Sequence, residues 1–357
     1  MENSILFTDL GLSVEVIQAL TEMGFTTPSP IQSEAIPHLL AGKDMIGQAQ
    51  TGTGKTAAFA IPCIEMIDTE KKGVQALIMC PTRELAVQVA EEFKKIGKFK
   101  RNLRPVAVYG GSSIDKQIQA IRQGANVVIG TPGRIMDHID RGTLKLNDIQ
   151  MVILDEADEM LNMGFIDDIE SILSNTPEER QTVFFSATMP KPIMDLTKRF
   201  QENPEIIKVT KKELTVSNIE QFYYEVRMGV RTEAMSRLVD MHGLKLMLVF
   251  CNTKRMVDEL VEELQSRGVM AEAIHGDLRQ QQRTTVLSKF KQGIINVLVA
   301  TDVAARGIDV DNVDAVFNYD IPLDDESYVH RIGRTGRAGR SGKSFTFVTG
   351  RKDAMKL

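Results

Sequence analysis

The chain has 357 residues, a length that suggests two domains of roughly 150 residues each. Its hydrophobic content is 43%, no apolar run reaches about 18 residues, and its start lacks a basic segment, so we expect neither a membrane span nor a signal peptide. A net charge of −5 argues against coating nucleic acid by bulk charge, and three cysteines inside apolar segments indicate reduced thiols, so we expect a cytoplasmic protein.

The first 40 residues carry two helical patterns with a turn-rich connection between them. Apolar residues share one helix face within residues 12–20 and again within residues 31–40. The connection, residues 24–32, contains two prolines and ends at Gln32, which opens the second predicted helix. A glutamine at a helix start is unremarkable by itself, and its simplest interpretation is a solvent-facing side chain.

A glycine-rich loop follows the short strand that begins at Met45. Its sequence is Ala49-Gln50-Thr51-Gly52-Thr53-Gly54-Lys55-Thr56, and a helical pattern continues to residue 67. A strand, a glycine loop and a helix in this order predict a phosphate-binding loop. Its lysine would reach the β and γ phosphates, and its last threonine is placed to bind Mg²⁺. We expect Pro62 to disturb the helix locally.

Apolar strands then alternate with helical segments, which predicts a parallel sheet with helices on both faces. The predicted strands are Ala76–Cys80, Pro105–Tyr109, Asn126–Gly130, Met151–Leu154, Thr182–Phe185 and Ile206–Val209. Small or polar clusters end the first five of them: Pro81–Leu85, Gly110–Gly111, Thr131–Arg134, Asp155–Asp158 and Ser186–Thr188. In a parallel sheet these clusters lie at the same edge as the phosphate loop.

The acidic cluster Asp155-Glu156-Ala157-Asp158 follows a strand that is apolar throughout. Carboxylates crowded at this edge indicate a cation, and Mg²⁺ with a nucleotide phosphate is the expected one. The alternative is a strand end followed by an acidic helix start, which the helix dipole would favour anyway.

The second half repeats the alternation without a phosphate loop. A polar stretch, residues 210–217, is the predicted linker, and strands follow at Ile219–Val226, Leu246–Phe250, Met270–Ile274, Val297–Ala300, Ala315–Asn318 and Phe345–Val348. Arg334 and Arg337 are three residues apart, so on a helical turn both side chains point the same way and favour an anion. A solvated basic patch or a nucleic-acid phosphate clamp is the alternative.

These motifs, taken in order from Phe7 to Val348, resemble the DEAD-box ATP-dependent RNA helicases of superfamily 2. Among the members of this family, the sequence is similar to the bacterial or archaeal ones that act in cold shock or RNA degradation. The resemblance implies an α/β protein with two tandem RecA-like parallel-sheet domains, residues 1–209 and 218–357, joined by the linker and with an ATP cleft between them. The core is expected to be monomeric.

The resemblance also implies roles at an ATP site. Phe25 would stack on the adenine, Gln32 would read its edge with two hydrogen bonds, and Asp309 would bind the ribose. Glu156 would activate the attacking water, while Arg334 and Arg337 would act as arginine fingers. The residues implied for the phosphates are Gln50, Thr51, Gly52, Thr53, Gly54, Lys55 and Thr56, and those for Mg²⁺ are Thr56 and Asp155.

A second set of residues is implied for RNA and for coupling. The implied RNA contacts are Arg83, Gly111, Thr131, Gly133, Arg134, Gln280, Arg283 and Thr301. Asp158, Ser186, Thr188 and His330 would link the ATP site to domain closure. Because few aromatic side chains are available there, RNA would be held by its sugar–phosphate backbone with little sequence preference, as single strands or short duplexes.

The expected function is RNA-stimulated ATP hydrolysis coupled to interdomain closure and to local, non-processive separation of short RNA duplexes. One alternative is an ATP-gated RNA clamp or scaffold, and another is a DNA translocase of the same superfamily. Many relatives carry a C-terminal tail that binds RNA or dimerises, and we expect this chain to be a core without one. The sequence does not identify partners such as those of a degradosome or of ribosome assembly.

Overall fold

The computed structural model describes residues 5–49, 53–209, 218–305, 313–322, 325–336, 341–350 and 353. Contacts between residues divide the chain into two compact units, Met1–Thr210 and Lys211–Leu357. The predicted linker, residues 210–217, lies outside the described residues. No helix within the described ranges is long and apolar enough to cross a membrane.

Unit 1 begins with a short 3-10 helix at Phe7–Leu10 and then contains nine helices and seven strands in its described part. The helices are α1 Val14–Glu22, α2 Pro30–Leu40, α3 Lys55–Met66, α4 Arg83–Ile96, α5 Ile114–Arg122, α6 Pro132–Asp140, α7 Ala157–Asn162, α8 Ile166–Ser174 and α9 Lys191–Phe200. The strands are β1 Met45–Gln48, β2 Ala76–Met79, β3 Pro105–Val108, β4 Val127–Gly130, β5 Met151–Asp155, β6 Gln181–Ser186 and β7 Glu205–Lys208.

The sheet of unit 1 is parallel and has the strand order β3-β4-β2-β5-β6-β1-β7. Strands β2, β4, β5 and β6 are buried along their whole length, because helices cover both faces of the sheet. This explains why they appear in the sequence as continuous apolar runs and not as alternating ones. Helix α3 continues through Pro62 without interruption.

Unit 2 has the same layered design. Its strands are β8 Ile219–Glu225, β9 Met247–Phe250, β10 Ala271–Ile274, β11 Val297–Ala300, β12 Ala315–Asn318 and β13 Gly342–Val348, in the parallel order β10-β11-β9-β12-β13-β8. Its helices are α10 Arg231–His242, α11 Lys254–Ser266, α12 Gln280–Lys291, α13 Asp302–Ala305 and α14 Asp325–Ile332, with a 3-10 turn at Met228–Val230. Two parallel-sheet α/β units, as the sequence predicts, are therefore confirmed.

Candidate active site

Strands β5, β6 and β1 are neighbours in the sheet of unit 1, and all three end at one edge. Residue Gln48 pairs with Ser186 in register, and Asp155 pairs with Phe185. The backbone N–H of Ala49 donates to the carbonyl of Ser186 at 3.0 Å. The phosphate loop, the acidic cluster and the segment 186–188 therefore begin side by side.

Helix α3 starts at the lysine of the predicted phosphate loop. Gly54 caps it with φ of 91°, a left-handed conformation that glycine adopts without strain. A Cβ at Gly54 would also lie 2.5 Å from Nε2 of Gln32, so only glycine fits there. Thr56 follows in the first turn of the helix. Three predicted phosphate ligands, Gln50, Thr51 and Gly52, lie outside the described residues.

Lys55 and Asp155 face each other in the interior, where they are 6% and 3% exposed. Their closest charged atoms, Nζ and Oδ1, are 4.0 Å apart. Within the described residues neither of these buried atoms has a hydrogen-bond partner. Leaving two such groups unsatisfied costs free energy, so the arrangement suits ligands that complete both of them.

The same pair fits a phosphate-bound magnesium ion. Burial raises the pKa of the Asp155 carboxyl to about 6, Lys55 opposes the rise, and the neighbouring Glu156 adds to it. In the described part of the chain, no group of three or more His, Cys, Asp or Glu side chains could hold a metal by itself. Mg²⁺ typically takes only one or two carboxylates and fills its other positions with water and phosphate oxygens. Asp155, together with Thr56 next to Lys55 in the first turn of α3, offers that kind of site.

Glu156 connects β5 to α7 with an unusual backbone. Its φ of 54° and ψ of 53° are left-handed, which glutamate rarely adopts. Such a conformation costs roughly 1–3 kcal/mol and is found most often where function requires a particular side-chain direction. The residue predicted to be catalytic thus follows Asp155 directly, at the point where β5 ends, on a strained backbone.

Asp158 joins α7 to the segment that follows β6. Its Oδ2 accepts from the backbone N–H of Thr188 at 2.8 Å and from the Thr188 hydroxyl at 2.9 Å. Its own N–H donates to Oγ of Ser186 at 3.1 Å. Three of the four residues predicted for coupling therefore form one hydrogen-bonded cluster, in which Ser186 is fully buried.

Gln32 is buried and connects α2 to the phosphate loop. Its Oε1 accepts from the N–H of Ser29 at 2.8 Å, and its Nε2 donates to the carbonyl of Gly54 at 3.1 Å. The solvent-facing interpretation of this residue is wrong, since only 8% of it is exposed. Each end of the amide keeps one further hydrogen-bonding position, which an adenine edge could use. Phe25, the predicted stacking residue, is 41% exposed.

The RNA contacts predicted for unit 1 follow β2, β3 and β4, on the connecting segments and in the first turns of α4 and α6. The guanidinium of Arg83 packs on Gly111, where a Cβ would lie 2.3 Å from Nη1 of the arginine. Arg134 donates from Nη1 to the carbonyl of Ser112 at 3.2 Å, and its side chain is 12% exposed. The other two predicted residues, Thr131 and Gly133, are the cap and an early position of α6. Arg83 and Arg134 are the basic residues of this set, and Arg134 is largely committed to contacts within the protein, with Ser112, Gln117 and Asp137.

The RNA contacts predicted for unit 2 are Gln280, Arg283 and Thr301. Gln280 begins α12, and Thr301 lies between β11 and α13. Arg283 is 8% exposed and donates to the carbonyls of His275 and Ala304 at 3.4 and 3.2 Å. Arg283 therefore ties α12 to α13 inside the unit.

Helix α14 carries His330 and ends just before Arg334. Two other predicted residues, Asp309 and Arg337, lie outside the described residues. Sequence analysis missed the neighbouring Arg331, which is 1% exposed and forms a bidentate pair with Asp302, both of its N–H···O distances being 2.6 Å. No sequence signal marks it, because its carboxylate partner is far away along the chain.

Comparisons with known proteins identify the family to which this chain is similar. The DEAD/DEAH box helicase family profile matches residues 29–196, and the helicase conserved C-terminal domain profile matches residues 230–339. The DEAD-box ATP-dependent RNA helicase CshA of Geobacillus kaustophilus is 57% identical over 97% of this chain and 74% of its own length. CshA of Bacillus subtilis is 55% identical over 99% of this chain and 71% of its own length.

Comparison with solved structures also finds proteins similar to this chain. Dbp5 of S. cerevisiae bound to RNA and ADP–BeF3 has a TM-score of 0.89 and 34% identity, over 98% of this chain and 91% of the other. A DEAD box protein from the hyperthermophile Methanococcus jannaschii has 47% identity and a TM-score of 0.57, over 99% of this chain and 95% of the other. Such neighbours have tandem RecA-like domains. With its profile matches and these relatives, the chain belongs to the family of DEAD-box ATP-dependent RNA helicases.

Proposed function

We propose that this protein couples RNA-stimulated ATP hydrolysis to closure of its two units and to local, non-processive separation of short RNA duplexes. The observation that carries the proposal is the buried pair Lys55 and Asp155, which faces inward with its closest charged atoms unsatisfied beside the strained Glu156. The names of the relatives, and the RNA and nucleotide bound to Dbp5, support the choice of ligands.

The first task of the site is to hold the nucleotide. Lys55 would donate to the β and γ phosphates, aided by the N–H groups at the start of α3 and its dipole. Gln32 would use the remaining positions of its amide on the adenine edge, and Phe25 would stack on the ring. Since Gln32 is already bonded to Gly54, base recognition and phosphate binding would be mechanically connected.

The second task is to favour the transition state. Asp155 and Thr56 would hold Mg²⁺, which supplies charge stabilisation to the phosphate oxygens when bound. Glu156 would orient the attacking water and accept its proton, because it follows Asp155 directly at the strand end, on a backbone held in the left-handed conformation. Phosphoryl transfer depends on positioning and charge far more than on covalent chemistry, so these groups suffice on the unit 1 side.

The third task is regulation by the second unit. We infer that Arg334 and Arg337 contribute positive charge to the transferring phosphoryl group only when the units close, as arginine fingers do. The hydrogen-bonded cluster of Asp158, Ser186 and Thr188 would transmit closure to the acidic cluster, because Asp158 belongs to the first turn of α7. Hydrolysis would then depend on closure rather than on nucleotide binding alone.

RNA would be bound at the strand-end loops of both units. Arg83, packed on Gly111, and the N-terminus of α6 after Thr131 are groups that suit backbone phosphates. Base-reading contacts are not expected, so affinity should vary little with sequence and should fall as salt rises.

The test compares ATP turnover without nucleic acid, with single-stranded RNA and with single-stranded DNA of equal length. We expect stimulation by RNA alone, and equal stimulation by DNA would indicate the DNA translocase instead. Separation of a short RNA duplex is then compared with the dwell time on RNA in a non-hydrolysable nucleotide. Long dwell without duplex separation would indicate the ATP-gated clamp, and absence of any stimulation would refute the proposal.

A further inference from the structure

Arg331 is a buried arginine whose hydrogen-bonding capacity is fully used. A guanidinium has five N–H groups, and all five are donated here. The acceptors are Asp302 Oδ1 at 2.6 Å, Asp302 Oδ2 at 2.6 Å, Asn252 Oδ1 at 2.8 Å, the Asp320 carbonyl at 2.6 Å and Asn318 Oδ1 at 3.4 Å. Its guanidinium also lies 5.2 Å from the centre of the Phe250 ring. Such saturation fixes both the position and the rotation of this side chain.

The partners of Arg331 come from three neighbouring strands. In the sheet order, β11, β9 and β12 are adjacent, and the residues that Arg331 contacts follow or end these strands. Asp302 comes directly after Thr301, a predicted RNA contact at the end of β11. On its own side, Arg331 lies in the last turn of α14, and its carbonyl accepts from the N–H of Arg334 at 3.2 Å.

We propose that Arg331 and Asp302 form a positioning pair, which connects the RNA-contacting segment after β11 to the predicted arginine finger Arg334. The proposal rests on the proposed function and adds a route by which RNA alters hydrolysis within unit 2. Asp302, His330 and Arg334 line one small cavity together with Arg331, so a shift of Asp302 acts directly on the surroundings of the finger.

The geometry favours a joint movement of residues 301–302 and helix α14. Two parallel N–H···O bonds resist sliding and rotation of the carboxylate relative to the guanidinium, unlike a single point contact. A displacement of residues 301–302 by RNA must therefore move α14 or break a bidentate pair that is almost fully buried on the arginine side. A lysine at position 331 has three donors and no planar fork, so it would keep the charge but lose this constraint.

Arg231 provides a matched control within the same unit. It is 4% exposed, pairs with Asp320 at 2.8 Å and lies 4.1 Å from the centre of the Tyr319 ring. Its described contacts do not include α14 or Asp302. Arg231 shares Asp320 with Arg331, since Arg231 binds the carboxylate and Arg331 the carbonyl of that residue. Replacing Arg231 by lysine removes a buried, paired guanidinium from the same core and leaves both members of the Arg331–Asp302 pair in place.

The experiment measures ATP turnover of wild type, Arg331→Lys, Asp302→Asn and Arg231→Lys, with and without poly(U) RNA. Folding is checked by circular dichroism, and affinities for ATP and for the RNA are measured separately. We expect the RNA stimulation ratio to fall by about tenfold in Arg331→Lys and in Asp302→Asn, within the range that coupling residues show. In Arg231→Lys the ratio should remain within about twofold of wild type.

The outcomes separate this inference from the proposed function. If wild type shows no RNA stimulation, the proposed function itself fails, and this inference falls with it. If wild type is stimulated and Arg331→Lys keeps the same ratio as Arg231→Lys, only the positioning role is overturned. A fall in ratio that merely follows lost ATP or RNA affinity also overturns it. If neither Arg331→Lys nor Asp302→Asn folds, the pair is a structural one and the inference is withdrawn.

Discussion

Buried charged side chains at the carboxyl-terminal edges of the two sheets differ in how many of their hydrogen bonds are formed. In unit 1, Lys55 and Asp155 lie 4.0 Å apart, and neither closest atom has a hydrogen-bond partner among the described residues. In unit 2, Arg331 is also buried, yet each of its five N–H groups has an acceptor. The backbone differs as well, since Glu156 in unit 1 is held at a strained φ of 54°.

This difference separates two uses of a buried ionic group. A charge whose bonds are complete stabilises the structure around it, and removing one partner leaves the other uncompensated. A charge whose bonds are incomplete contributes little to stability but offers free energy to a ligand that completes them. At these two edges, unit 1 therefore has a buried charged pair that a ligand could complete, and unit 2 has a buried arginine that fixes α14 to the strand ends, although both units have the same layered design.

The largest expected effect comes from removing the incomplete charge in unit 1. Lys55→Ala should lower ATP turnover by about a thousandfold or more, because both phosphate binding and transition-state charge depend on this ammonium. Lys100→Ala is the control: this half-buried lysine donates to the carbonyl of Ile64, so its loss should reduce stability and leave turnover intact. Steady-state phosphate release measures both, and near-normal turnover in Lys55→Ala would contradict the phosphate-loop assignment.

The comparison itself is tested by equal substitutions at the two buried cations. Arg331→Met should lower the free energy of unfolding of unit 2 by about 3–5 kcal/mol, because Asp302 is left as an uncompensated partner. Lys55→Met should change the stability of the nucleotide-free protein far less, by about 1 kcal/mol or less. Its amine forms no hydrogen bond there, and the Asp155 carboxyl, whose pKa burial already raises to about 6, can take up a proton once the lysine is gone.

Urea unfolding, with amide hydrogen exchange to assign each transition to its unit, measures this pair of effects. Equal losses in the two variants would show that Lys55 is as much a structural cation as Arg331. The contrast between the two edges would then have no energetic basis.

A smaller effect is expected when the carboxylate of Glu156 is neutralised. Glu156→Gln should lower turnover by about a hundredfold while ATP and RNA binding persist, because the amide can orient water but cannot accept its proton. Glu159→Gln, a buried neighbour on α7, is the control and should retain turnover within a few-fold. Binding of a fluorescent ATP analogue separates the two steps. If Glu156→Gln lost nucleotide affinity instead, Glu156 would be a ligand and not a base.

Much of this arrangement is predictable from sequence because it depends on local patterns. Strands such as β2, β4 and β5 are buried on both faces, so continuous apolar runs identify them. Parallel connectivity then brings the residues after each strand to one edge, which is why Ser186 and Asp158 could be expected near the phosphate loop. Their hydrogen bond of 3.1 Å follows from that topology.

Other features depend on contacts that no local pattern encodes. Arg331 meets Asp302 across 29 residues of sequence, so its burial could not be read from the residues around it. Gln32 is bonded to Gly54, 22 residues away along the chain, so the residues around it offered a solvent-facing side chain as its simplest interpretation. The left-handed backbone at Glu156, where β5 passes into α7, runs against the preference of glutamate itself.

The smallest effect isolates that backbone strain. Glu156→Gly should raise the free energy of unfolding by about 1 kcal/mol relative to Glu156→Ala, because glycine adopts a positive φ without a steric cost. Both variants remove the same carboxylate, so the stability gained by losing its repulsion with Asp155 is the same in each and cancels in the difference. Both variants should be inactive. Urea midpoints at equal slopes give the difference. A Gly variant less stable than the Ala variant would show that the left-handed conformation carries no strain, and then the edge of unit 1 would differ from that of unit 2 in its charges alone.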